Sequence, residues 1–201
     1  MLPLLRIVRP SRWLAAVRAA ALLLLLLAAG PAWAQPAQII LLRHAEKPED
    51  KDAVHLSARG EERARALVAL LGRSSPFTSN AAVAALFATR VTKHDHSHRT
   101  GETLTPTSRE LGLPIQLAVD SDNVSAMAAS VRSRAEYRGR TVIICWTHHD
   151  LAQLAAALGI RPEPPAWKEK VFDRLWIIRY EAGRAVLLDR PQRLLKGDSK
   201  R

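Results

Sequence analysis

The sequence predicts an α/β protein, a three-layer α/β/α sandwich around a mostly parallel central sheet. Two short apolar runs, 38–42 and 141–146, lack alternation and read as strands buried on both faces. Helical-period stretches separate such runs along the chain. Two alternating segments around Glu181-Ala182-Gly183 read as a closing hairpin.

Each element has its own signals. The run 38–42 is the first strand, and 48–54 is a polar loop. Ser57 is an N-cap, with Glu61 and Glu62 in the first turns of the helix it opens. Ala64, Leu67, Val68, Leu70 and Leu71 recur at helical spacing, and Gly72 stops them. The segment 81–89 is a second strand, although its alanines also suit a helix. A helix over 100–111 is expected to hold Pro106 in, or kink at, its first turns. A short strand follows at 114–119 and a helix at 124–137, ending near Gly139. The run 141–146 is the clearest strand, and a helix over 150–158 ends at Gly159. The hairpin spans 172–180 and 184–188. In such sheets a ligand site lies beyond the carboxyl ends of the strands.

Composition limits the remaining classes. The chain has 201 residues, 48% hydrophobic and 24% charged, which suits one domain with an apolar core. Residues 1–18 carry Arg6, Arg9, Arg12 and Arg18 and no acidic residue. A small and apolar run over 19–30 and Ala32-Trp33-Ala34 complete a secretory signal peptide over 1–34. Export to the periplasm or medium is therefore expected, with cleavage before Gln35 preferred to an uncleaved anchor because the apolar run is short for a span. Loss of the four Arg of 1–34 takes the formal charge from +11 to +7. The remaining organisation is a domain over 35–190 and a basic tail over 191–201. The lone Cys145 excludes an internal disulfide and reads as a buried small hydrophobe. No interleaving of aromatic and basic residues marks a nucleic-acid platform, and no stable membrane insertion is expected after cleavage.

Two strand ends carry chemistry-bearing residues. The first strand runs into Arg43-His44-Ala45-Glu46-Lys47, and the strand over 141–146 runs into Thr147-His148-His149-Asp150. Ser97-His98-Arg99-Thr100 precedes a helix between them. A neutral imidazole is a good nucleophile near pH 7, and a guanidinium grips two phosphate oxygens while staying charged. A phosphoryl group in transfer needs such fixed positive donors around its oxygens. His94, His96 and His98 alternate in a way that also suits a metal, although a polar loop leading to Arg99 is the preferred reading. Arg90, at the end of the second strand, is a lesser candidate for the pocket.

Four segments in order resemble the histidine phosphatase (phosphoglycerate mutase-like) superfamily. Leu42-Arg43-His44-Ala45-Glu46-Lys47-Pro48 resembles its R-H-[GA] signature, and Leu56-Ser57-Ala58-Arg59-Gly60-Glu61-Glu62-Arg63-Ala64 is similar to the helix start L-S-x-x-G-x-x-R-A. Ser97-His98-Arg99-Thr100-Gly101-Glu102-Thr103 resembles the S-x-x-R-T-x-x-T segment, with one residue fewer before the Arg. Trp146-Thr147-His148 through Leu158-Gly159 resembles the strand-His-helix segment, with Thr147 where the commonest version has Gly. The resemblance spans about residues 38–160. It implies a metal-independent phosphatase without a cofactor, acting on a phosphorylated small molecule or phosphopeptide. His44 is then the nucleophile that becomes phosphohistidine, and Arg43, Arg99 and His148 hold the phosphoryl oxygens. Glu46 and Asp150 are both candidates for the proton donor, and His149 is the alternative to His148. Two other readings stand beside this one. They are a catalytically weak relative that binds phosphorylated ligands, and a periplasmic metal-binding protein using the 94–98 loop with His148 and His149.

Overall fold

The computed structural model describes residues 35–50 and 52–200. The expected signal peptide over 1–34 lies outside the described residues.

The described residues form a six-stranded sheet in the order β3-β2-β4-β1-β5-β6. Its strands are β1 (Gln38–Arg43), β2 (Val83–Thr89), β3 (Ile115–Val119), β4 (Thr141–Trp146), β5 (Arg174–Glu181) and β6 (Arg184–Pro191). β1, β4, β2 and β3 run parallel, while β5 and β6 are antiparallel and form the expected hairpin. β1 and β4 are buried along their whole length, which is why their sequences are continuously apolar. β3 is an edge strand and leaves Leu117 exposed.

Helices cover both faces. One face of the sheet, with Ile40, Leu42, Leu86, Ile143 and Cys145, packs on Leu67, Leu71 and Leu104. These come from α1 (Ala58–Ala66), α2 (Val68–Leu71) and α3 (Arg99–Leu111) or their junctions. The other face, with Ile39, Leu41, Phe87, Val142, Ile144 and Trp146, packs on α4 (Val124–Arg132) and α5 (Leu151–Ala157). Trp167 and Trp176 close this second core with ring centroids 4.8 Å apart. Cys145 is buried among apolar neighbours, and burial pushes its thiol pKa up.

Local chemistry explains the helix ends. Ser57 caps α1 by accepting from the Gly60 N–H at 3.1 Å. Gly60 is needed there because a Cβ would lie 2.2 Å from the Glu46 carbonyl oxygen. Gly112 ends α3 at φ 68°, a left-handed conformation suited to glycine.

The helix expected over 100–111 is present as α3, with Pro106 in its interior rather than in its first turns. Two other local expectations differ from the structure. The helix expected over 124–137 stops at Arg132, and the chain resumes as a single 3₁₀ turn, Ala135–Tyr137, that buries Tyr137 against Phe87. Residues 191–200, expected as a separate tail, are bound to the domain: Gln192 N–H donates to the Asp173 carbonyl at 2.7 Å, and Asp198 pairs with Arg63.

Candidate functional site

β1 and β4 are neighbours in register, with Arg43 opposite Trp146. The carboxyl ends of both strands therefore lie side by side, and the residues that follow them share one site. The His44 N–H continues the ladder by donating to the Trp146 carbonyl at 3.4 Å.

His44 is 5% exposed. Its Nδ1 sits 2.7 Å from the Ala45 carbonyl oxygen. Its pKa is lowered to about 3, chiefly by burial and further by the positive charges of Arg43 and Arg99. The ring is thus neutral across the physiological range. Thr103 braces the same turn from α3: its hydroxyl accepts from the Ala45 N–H at 2.9 Å and donates to the Arg99 carbonyl at 2.7 Å. Sequence reasoning assigned Thr103 no role, although it lies inside the Arg99 segment.

Arg43 is 1% exposed. Its Nη1 donates to the carbonyls of Glu169 and Val171, and its guanidinium carbon stands 4.0 Å from the centroid of the Phe172 ring. Trp167 fixes that turn by donating from Nε1 to the Val171 carbonyl at 2.8 Å. Among the described residues, no hydrogen-bond partner meets Nε or Nη2 of Arg43, or Nε of Arg99. Nε and Nη2 form one edge of the fork, so the backbone of 169–171 orients Arg43 by its other side and leaves that edge for an anion. Burial, aided by the nearby Arg99, lowers the Arg43 pKa to about 10, and the group stays charged at neutral pH.

Arg99 opens α3. Its Nη1 donates to the Ala53 carbonyl at 2.9 Å, and the His98 N–H donates to the Val54 carbonyl at 3.0 Å, so Ala53 and Val54 are docked on the helix start. Burial lowers the Arg99 pKa. The buried Thr89 and Thr100 hydroxyls, 2.7 Å apart, tie the same helix end to β2.

His148 is half-buried and His149 is exposed. The His148 pKa is lowered to about 4, by burial first and then by Arg43, His149, Lys47 and Arg99. That electrostatic neighbourhood puts His148 with His44, Arg43 and Arg99. Its ring lies 3.8 Å from that of His149. Asp150 accepts from the Thr147 hydroxyl at 2.6 Å, which stabilises the turn after β4.

Glu46, a candidate proton donor, is held by two arginines. Its carboxylate accepts from Arg63 Nε at 2.9 Å and from Arg63 Nη2 at 2.8 Å, and Arg59 Nε adds a contact at 3.3 Å. Arg90 is turned outward onto Asp120, with Nε 2.7 Å from Oδ1. His94 and His96 are exposed, while His98 stacks on His55 at 5.1 Å. Among the described residues no group of three or more His, Cys, Asp or Glu side chains is placed to hold a metal ion, so the 94–98 loop does not combine with His148 and His149.

No family model matches the sequence, and no curated protein does. Solved structures do match. The protein histidine phosphatase SixA, solved in complex with tungstate, aligns with a TM-score of 0.59 at 14% identity, over 77% of this chain and 97% of that one. The alpha-ribazole phosphatase from Shigella flexneri aligns with a TM-score of 0.52 at 17% identity, over 75% and 94% of the two chains. With its mostly parallel six-stranded sheet and helices on both faces, the chain has the phosphoglycerate mutase-like fold of these two structures.

Proposed function

We propose that this protein is a phosphatase of the histidine phosphatase superfamily, which moves a phosphoryl group from its substrate to Nε2 of His44 and then to water. The observation that carries the reading is a buried, neutral His44 beside two arginines whose Nε groups have no partner among the described residues. The solved structures of the same fold are named as phosphatases, which supports the class.

Chemistry follows from the geometry. The Nε2 lone pair of His44 forms a bond to phosphorus as the bond to the leaving group breaks, and the leaving group departs with the electron pair. The Nε–Nη2 edge of Arg43, the Arg99 guanidinium and the His148 ring stabilise the charge on the phosphoryl oxygens. Nδ1 keeps its proton on the Ala45 carbonyl, so the intermediate is a cationic phosphoimidazolium. Positive charge on the ring makes nitrogen a better leaving group when water attacks phosphorus. Inorganic phosphate leaves and neutral His44 is restored.

Glu46 is engaged by Arg63, and Asp150 is the remaining acid beside the His148 turn. Such a site favours leaving groups that need little protonation, such as aryl phosphates and phosphohistidine, on a small molecule or a phosphopeptide. The signal-peptide pattern of residues 1–34 supports a site of action outside the cytoplasm.

The test is hydrolysis of a generic aryl phosphate by residues 35–201, wild type beside His44→Ala, in chelator and across pH 5–8. Chelator-resistant activity that disappears with His44 supports the mechanism. Activity surviving in His44→Ala means another nucleophile, and a folded, inactive wild type favours a ligand-binding relative.

A further inference from the structure

Arg63 is an interior residue of α1, 2% exposed, and none of the chemistry above uses it. Beyond its contacts with Glu46, its Nη2 donates to Asp198 Oδ1 at 2.7 Å, and its Nη1 donates to Asp198 Oδ2 at 2.9 Å and to Gln192 Oε1 at 3.0 Å. Asp198 also accepts from the Leu194 and Leu195 N–H groups at 2.8 and 3.0 Å. Burial alone would raise its pKa, but the Arg63 and backbone hydrogen bonds outweigh it and hold the carboxyl low, at about 2.

Two arms lead from this guanidinium to the site. One runs through Glu46, two residues after His44. The Glu46 carbonyl also accepts from the Ser57 N–H at 3.0 Å, so the nucleophile turn is clamped to the start of α1. The other runs through Gln192, whose Nε2 donates to the Phe172 and Arg174 carbonyls at 3.1 Å each. Phe172 is the ring under Arg43.

We propose that Arg63 is a positioning residue that sets His44 and Arg43 together, and that segment 192–199 locks it in place through Asp198 and Gln192. The proposal rests on His44 being the nucleophile. A buried cation with two carboxylates holds its geometry because loss of either partner leaves charge uncompensated in the interior. A displacement of about 1 Å at a reacting group costs on the order of 10²-fold in rate.

The decisive variants are Asp198→Asn, which keeps shape and removes charge, and a chain ending at Pro191, with Gln192→Ala as the milder third. Each is studied at a temperature where circular dichroism shows it folded. The first readout is the ¹⁵N signature of the His44 ring, which reports whether Nδ1 still carries one hydrogen-bonded proton and needs no turnover. The second is kcat against KM for an aryl phosphate. In the folded variants the Nδ1 signature is expected to change and kcat to fall about 10- to 100-fold. Arg63→Lys, which keeps the charge, is expected to recover part of the kcat lost in Arg63→Met. Folded variants with an unchanged ring signature, or with wild-type kcat, overturn the proposal and leave Arg63 a stability element. If the wild type hydrolyses nothing, the phosphatase reading fails by itself, and the ring signature still decides whether Arg63 positions His44.

Discussion

The Ala45 carbonyl oxygen lies 2.7 Å from Nδ1 of His44. A carbonyl only accepts, so the ring proton sits on Nδ1 and Nε2 carries the lone pair. One backbone contact thus selects both the tautomer and the nitrogen that would attack in the proposed mechanism.

Burying this imidazole makes stability depend on pH. The folded His44 pKa is about 3 and the His148 pKa about 4, both below the ordinary 6.5. The unfolded chain therefore binds more protons between these values and 6.5, so stability is fullest above pH 6.5 and falls as pH drops towards the folded values. Urea unfolding at pH 7 and pH 5 is expected to show this loss. Replacing His44 with Gln should flatten the slope, and an unchanged slope would mean that His44 is not held neutral.

Arg43→Lys is expected to lower kcat/KM by about 10²- to 10³-fold, the usual cost of one oxyanion donor. Lysine keeps a charge but presents no fork. Calorimetric titration with tungstate should show weaker binding too. Near-wild-type binding and rate would show that the Nε–Nη2 edge is not used.

Gly60→Ala should destabilise the domain by about 1–3 kcal/mol, the range for overpacking a close contact. The added Cβ would meet backbone, the Glu46 carbonyl at 2.2 Å, which no side-chain rotation relieves. A thermal melt checks this. Because Glu46 lies two residues after the proposed nucleophile His44, the rate should fall as well.

Expression of the full chain in a bacterial host, followed by N-terminal sequencing of the exported protein, is expected to give Gln35 as the first residue. Retention of residues 1–34 in the membrane fraction would favour the anchor reading instead.

Much of the fold was legible because its signals are local. The unbroken apolar runs of β1 and β4 announce strands buried on both faces, and Ser57 and Gly72 sit at helix boundaries. The helix over 100–111 was legible in spite of Pro106, which lies further into it than its first turns, because helix propensity is a weak prior that packing overrides. The 124–137 segment misled because apolar spacing alone does not mark Ser133, where the helix gives way to a single turn.

By itself, the sequence determined the α/β order and the placement of Arg43, His44, Arg99 and His148 at strand and helix ends, since periodicity, caps and short motifs are read over a few residues. Only the tertiary structure decided how those residues are used. Glu46 is drawn to Arg63 because a buried guanidinium must find carboxylates, and Asp198 reaches it from 135 positions away. Phe172 and the carbonyls of 169–171 orient Arg43 from 126 or more positions along the chain. No local pattern encodes such partners, because they are chosen by which polar groups the folded core leaves to be paired.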